Sequence, residues 1–146
     1  MTTNQLFLVR PQRHPHERID DYLKRLAKLN GFSSGSVLNG ILMKWAQSNG
    51  IDIIGNTRID SICQILEVLL NRKFKVHSFD KPVFIKKNSE LKICRICASK
   101  AEVVMFYWYL EGYRFCHLHN EPMLSEQEDV KFDSENTIEK YLHPVV

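Results

Sequence analysis

Cys94-Arg95-Ile96-Cys97 and, after a gap of eighteen residues, Cys116-His117-Leu118-His119 are the stretches whose reading decides the C-terminal fold. A tetrahedral ion needs four soft or borderline donors converging within a few ångströms. A two-residue gap lets a tight knuckle aim both side chains of a pair at one point. The spacing matches the zinc-ribbon template with His in the last position, so Cys94, Cys97, Cys116 and His119 are expected to bind one structural zinc. Four protein donors leave no coordination position for water or substrate, which argues against a zinc hydrolase. His117 is the rival ligand and ranks below His119, because it directly follows Cys116 and adjacent side chains diverge.

Between the two pairs, Val103 to Leu110 is rich in β-branched and aromatic residues, Glu111-Gly112 is a turn signal, and Tyr113 to Phe115 returns to the second knuckle. This predicts a hairpin bracketed by metal ligands. It is too small to bury its own core, so the metal is expected to supply much of its folding free energy, on the order of 10 kcal/mol in apparent binding terms.

The chain has 146 residues, of which 44% are hydrophobic and 25% charged, room for one modest core or two small ones. The longest apolar run, Val103 to Leu110, is far too short for a membrane span. The start carries no secretory signal, since the run Leu6 to Val9 is broken by Arg10 and Pro11. A reducing cytoplasm is the expected compartment, where clustered cysteines favour metal over disulfide. Cys63, among Ile59, Ile62 and Leu66, reads as a small core residue. Residues 121–146 hold seven acids against Lys131 and Lys140, so of the net +3 the first 120 residues carry +8. A basic body with an acidic tail permits salt-dependent phosphate contact, and equally describes a solvated surface.

Upstream, Ile19, Tyr22, Leu23, Leu26 and Leu29 recur at three- and four-residue steps before Asn30-Gly31, predicting a helix from Glu17 to Leu29. Ser33 and Ser34 are caps for a second stripe, Val37, Leu38, Ile41, Leu42 and Trp45, ending near Asn49-Gly50. Asn56 and Thr57 introduce a third, Ile59, Ile62, Cys63, Leu66, Leu69 and Leu70. A short Gly-containing turn between two helices permits a helix-turn-helix, whose exposed face would offer Asn39, Lys44, Gln47 and Ser48 to nucleic acid; the same set describes any solvated helix face. Residues 72–92 read as a connector in which Phe74, Phe79 and Phe84 alternate with Lys73, Lys75 and further lysines. Such a pattern can grip single strands, but its simpler use is to pin the segment to the body.

Catalytic constellations are missing. A zinc deaminase needs a His-x-Glu box upstream and a Pro before its Cys-x-x-Cys, whereas Ile93 precedes Cys94 and no His-x-Glu stands upstream of it. Phosphate loops and His-Glu-x-x-His helices do not occur either. A zinc-stapled nuclease using His117, His119 and Asn120 is the remaining enzymatic alternative, weakened because His119 is assigned to the metal.

Arg10-Pro11, Pro15, Glu17, Ile19, Tyr22-Leu23, Arg25-Leu26-Ala27 and Asn30-Gly31 resemble the opening of TniQ proteins. Cys94-x-x-Cys97, the aromatic stretch around Trp108, and Phe115-Cys116-x-x-His119 followed by Leu124 resemble that family's zinc-binding segment. Arg18 departs from the small polar residue the family often has there, and an acidic tail stands where many members continue into further modules. The resemblance implies a role in transposition target selection. TniQ proteins link a targeting element, which in CRISPR-associated transposons is an RNA-guided effector, to an AAA+ ATPase called TnsC.

The expected class is therefore α+β, mostly α: a helix-turn-helix-like three-helix domain (1–71), a connector (72–92), a zinc-ribbon hairpin (93–124) and an acidic tail (125–146). The expected function is a non-enzymatic prokaryotic adaptor with a TnsC-like ATPase, DNA and guide RNA or its effector as partners and no membrane. Arg10, Arg13, Arg18 and Lys24 are expected to form an exposed basic partner surface, with Asn39, Lys44, Gln47, Lys73 and Lys75 as nucleic-acid contacts. The alternative is a stand-alone DNA-binding regulator.

Overall fold

The computed structural model describes residues 6–84, 91–101 and 103–125. The expected acidic tail beyond Ser125 and the lysines at 86 and 87 lie outside the described residues. The chain forms two compact units, one from the residues up to Arg13 together with Ile19–Lys81, the other from His14–Arg18 together with the residues from Pro82 onward. Helices dominate, with a single two-stranded antiparallel sheet among the described residues.

The first unit holds α1 (Ile19–Leu29), α2 (Gly35–Ser48) and α3 (Arg58–Leu70). Their stripes meet in one core: Ile19, Tyr22, Leu23 and Leu26 from α1, Leu38, Leu42 and Ala46 from α2, Ile59, Ile62, Ile65, Leu66 and Leu69 from α3. Full burial of an aliphatic or aromatic side chain of this size contributes about 1.5–3 kcal/mol. Cys63 lies in the same core, and burial pushes its thiol up to about 12. The helix ends follow the cap residues. Ser34 accepts from the Val37 N–H at 3.1 Å, and Thr57 from the Asp60 N–H at 3.1 Å, while Gly31 (φ 82°) and Gly50 (φ 67°) supply the left-handed turns after α1 and α2.

Helix α1 begins at Ile19, two residues after the expected start, because Glu17 is taken up in backbone pairing within the other unit. The carboxylate of Asp80, fully buried, then accepts the Ile19 N–H at 2.7 Å, capping α1 from 61 positions away. Both Asp80 oxygens also receive Arg13 (2.7 and 2.8 Å), and one receives the His77 N–H at 2.8 Å.

The segment before α1 has no regular structure of its own, so its polar backbone needs side-chain partners. Asn30 accepts the N–H groups of Leu8 and Val9 (both 2.9 Å) and donates to the carbonyls of Val9 and Leu26. Arg72 serves the carbonyls of Arg10 and Pro11, Tyr22 that of Pro11, and Arg25 that of Gln12. The side chains around Arg10-Pro11 thus act as a frame for the entry segment. Phe74, expected in the connector, is buried in this core with its ring 5.5 Å from Tyr22, as the pinning reading requires.

In the second unit, β1 (Lys92–Ile93) pairs with β2 (Leu124–Ser125), Ile93 opposite Leu124, and α4 (Arg95–Ala101) follows Cys94 directly. Val103 to Leu110 is not the expected strand. Phe106–Tyr109 is a 3₁₀ turn, and no strand runs from Tyr113 to Phe115 to complete a hairpin. Three residues per turn bring Met105 and Trp108 to the same side, where both are buried, which a strand's period of two could not do. Residues 14–18 join this unit as a turn, closed by the Glu17 N–H on the His14 carbonyl at 3.0 Å. Glu17 bridges Met105 antiparallel, the His16 carbonyl accepts the Phe106 N–H at 2.7 Å, and the rings of His16 and Tyr107 stand 5.9 Å apart.

Candidate metal centre

Each ligand pair is presented by a turn that ends in hydrogen bonding. The Ala98 N–H bonds the Cys94 carbonyl at 2.9 Å, opening α4, and the Cys97 N–H approaches the Cys94 Sγ at 3.5 Å. On the other side the Asn120 N–H bonds the Cys116 carbonyl at 2.7 Å and the Cys116 N–H bonds the Glu121 carbonyl at 2.8 Å. The left-handed φ of Asn120, 53°, is one that Asn adopts more readily than most residues and lets this turn close.

The donor atoms of Cys94, Cys97, Cys116 and His119 all lie within 4.8 Å of one another. His119 Nδ1 is 3.3 Å from Cys97 Sγ and 3.6 Å from both Cys94 Sγ and Cys116 Sγ, and the Cys97 and Cys116 sulfurs are 3.6 Å apart. Metal–sulfur bonds of about 2.3 Å and metal–nitrogen bonds of about 2.0 Å in a tetrahedron give edges of roughly 3.5–3.8 Å, so the set fits a metal ion. All three cysteines are buried and none is in a disulfide. The expected ligand residues are those the fold brings together. His117 is outside the cluster, its Nδ1 2.8 Å from the Tyr113 hydroxyl, which also accepts the His117 N–H at 3.0 Å.

The electrostatics suit a cation. Burial pushes the Cys116 thiol up, but the N–H groups of His119 and Leu118, with the His119 side chain and Cys97, outweigh it and bring it down to about 6. Burial, then hydrogen bonds to Cys116 and Cys94, push Cys97 up to about 12. One sulfur is thus ready as a thiolate while its neighbour resists a second negative charge beside it. A divalent ion removes that conflict by neutralising the sulfurs together. Burial pushes the Tyr113 phenol up to about 12 against the lowering hydrogen bond from the His117 N–H, and this phenol, which holds His117 away from the cluster, is a residue the sequence reading missed. Its position three residues before Cys116 was the available signal.

The expected partner residues fare differently. Arg13 is not a surface charge: its side chain is 10% exposed, paired with Asp80 and bonded to the Lys75 carbonyl at 2.8 Å. Arg18 is also buried, its guanidinium 5.4 Å from the centre of the Tyr109 ring, and it belongs to the second unit. Arg10 is half-buried with Nε turned to the Phe7 carbonyl, 3.4 Å away. Lys24 alone of the four is exposed, 3.9 Å from Asp21. The expected basic surface at the entry to α1 therefore does not exist as one exposed patch, because backbone carbonyls engage Arg10 and Arg13, the buried Asp80 carboxylate also engages Arg13, and Arg18 lies over Tyr109. Lys44 and Gln47 on α2, and Lys73 and Lys75, are exposed, whereas Asn39 is half-buried with a fully buried Oδ1.

No family model matches this chain, and no curated protein matches it. Among the described residues no helix is long and apolar enough to cross a membrane.

Proposed function

We propose that this protein is a non-enzymatic adaptor in transposition target selection, in which one structural zinc held by Cys94, Cys97, Cys116 and His119 organises a ribbon-like unit in a chain that also carries a helix-turn-helix-like helical unit. The observation that carries the reading is that the two sequence blocks resembling TniQ proteins coincide with two separate structural centres. The first block supplies the frame around the entry segment, Tyr22, Arg25 and Asn30, and the second supplies the Cys₃His cluster. Two blocks that serve such different ends, one backbone satisfaction and the other metal binding, support the reading independently.

A closed donor set supports a structural ion, and two compact units suit a protein that holds two partners at once, where the gain is effective concentration. The partners proposed are an AAA+ ATPase of the TnsC kind on DNA and a targeting complex such as an RNA-guided effector, in a prokaryotic cytoplasm. Exposed Lys44, Gln47, Lys73 and Lys75 suit weak, sequence-indifferent phosphate contact in support of that complex.

The test is co-purification of the chain with such an ATPase, with and without DNA, followed by addition of the targeting complex. A three-component assembly that neither partner forms without this chain is the expected result. Failure to bind the ATPase in either condition, combined with tight binding to one duplex sequence, would move the assignment to a DNA-binding regulator.

A further inference from the structure

Residues 115–122 form a loop of the second unit that is closed by several independent constraints. Phe115 and Pro122 oppose each other in an antiparallel bridge, the backbone bonds of Cys116 and Asn120 cross the loop, and two of the four metal ligands, Cys116 and His119, lie within it. His117 is held by Tyr113. On this constrained backbone Phe115 is 60% and Leu118 63% exposed, and Pro122 is exposed as well. Directly opposed residues of an antiparallel pair have Cβ atoms about 4.5–5.5 Å apart, so Phe115 and Pro122 are neighbours. The inward positions of the loop are taken by the sulfur and the imidazole, and the apolar side chains between and beside them are left outside.

We propose that this loop is a docking knob for an apolar socket on a protein partner, and that the metal's task is to hold it in its docking shape. The occupant follows from charge. Between Phe115 and Pro122 there is no Lys or Arg and the one charged residue is Glu121, which offsets the exposed Arg114 that directly precedes the loop. Three thiolates around a divalent cation add a net negative charge beneath the tip. Phosphates of a nucleic acid and headgroups of an anionic bilayer both require cations there. Three apolar side chains are also too few for a stable membrane anchor. An aromatic anchor flanked by Leu and Pro on a rigid backbone is the kind of centre around which protein interfaces concentrate their affinity, and a loop ordered beforehand loses little freedom on binding. This rests on the adaptor reading, which makes the AAA+ ATPase the socket's owner.

The experiment measures binding of the full metal-loaded chain to the DNA-bound ATPase filament, with metal content and melting temperature recorded for each variant. Phe115→Ser combined with Leu118→Ser should keep one metal per chain and a melting temperature within a few degrees of wild type, yet bind at least about tenfold more weakly. Chelation of the wild type should produce the same loss. Leu118→Glu alone, at an exposed position, provides a second variant if the double one loses metal, and should also weaken binding about tenfold or more. Leu8→Ser, on a side chain 95% exposed in the first unit, should bind as wild type. Metal-loaded loop variants that bind within twofold of wild type overturn the knob while leaving the adaptor reading intact. Wild-type protein that fails to bind the filament overturns the adaptor reading and this assignment with it. Binding to a single-stranded oligonucleotide, to phosphatidylserine vesicles or to a second copy in sedimentation, lost in the double variant, would assign the loop to that occupant and overturn the protein socket.

Discussion

The two units of this chain reach order by different means. Among the described residues the helical unit has seventeen buried apolar residues in its core, whereas the ligand-bearing unit has nine, and three of those nine are the cysteines of the metal cluster. A core of the first size can offset the entropy of ordering three helices. The second cannot, and its regular structure among the described residues is one short α-helix, two 3₁₀ turns and two strands of two residues. One unit is held by its apolar core, while the other places four donors around a site for an ion. The contrast shows how a chain of this length can divide its apolar residues unequally and still fold both parts.

The sharpest way to break that comparison is to remove the metal. Chelation, or Cys97→Ser, should unfold the second unit, forfeiting on the order of 10 kcal/mol of apparent binding free energy, while most of the far-ultraviolet helical signal from α1, α2 and α3 survives. Fluorescence of Trp108 in a Trp45→Phe background would follow the second unit alone. Simultaneous loss of all helical signal would show that the two fold as one cooperative body.

Within the helical unit the largest single effect is expected at Asp80, whose removal strands the largely buried Arg13 and uncaps α1. Asp80→Ala should cost about 3–5 kcal/mol in urea denaturation, because one partner of a buried pair is left uncompensated. A smaller loss when Arg13→Met is added would show that the stranded charge, and not the missing cap, carries the cost. Next comes Asn30→Ala, which deletes four hydrogen bonds at the entry segment and should cost about 2 kcal/mol. Hydrogen exchange should then accelerate at the Leu8 and Val9 amides and stay unchanged at Ile93. The mildest change is Thr57→Ala, an N-cap loss of about 1 kcal/mol that should lower the melting temperature of the first unit without altering metal content.

The sequence made the helices readable because their apolar steps and cap residues are local signals. Ser34, Thr57, Gly31 and Gly50 all act where the pattern put them. The cluster was readable for the same reason: two short spacings encode four donors. What stayed hidden was nonlocal. Nothing near Arg13 announces that its carboxylate partner is Asp80, 67 positions on, so an arginine of the fold's interior reads as surface charge. The stretch from Val103 to Leu110 shows the opposite failure, since its residues favour a strand in isolation. Burying Met105 and Trp108 together wins over that preference.

The excursion of His14–Arg18 into the second unit means that the chain passes between the two units three times, after Arg13, after Arg18 and after Lys81. A single cut cannot part them. A fragment ending at Lys81 would carry His16 and Glu17 without Phe106 and Met105, their backbone partners, and a fragment starting at Pro82 would leave the edge at Met105 open. A single crossover after Arg13, Arg18 or Lys81 therefore cannot exchange one whole unit for another.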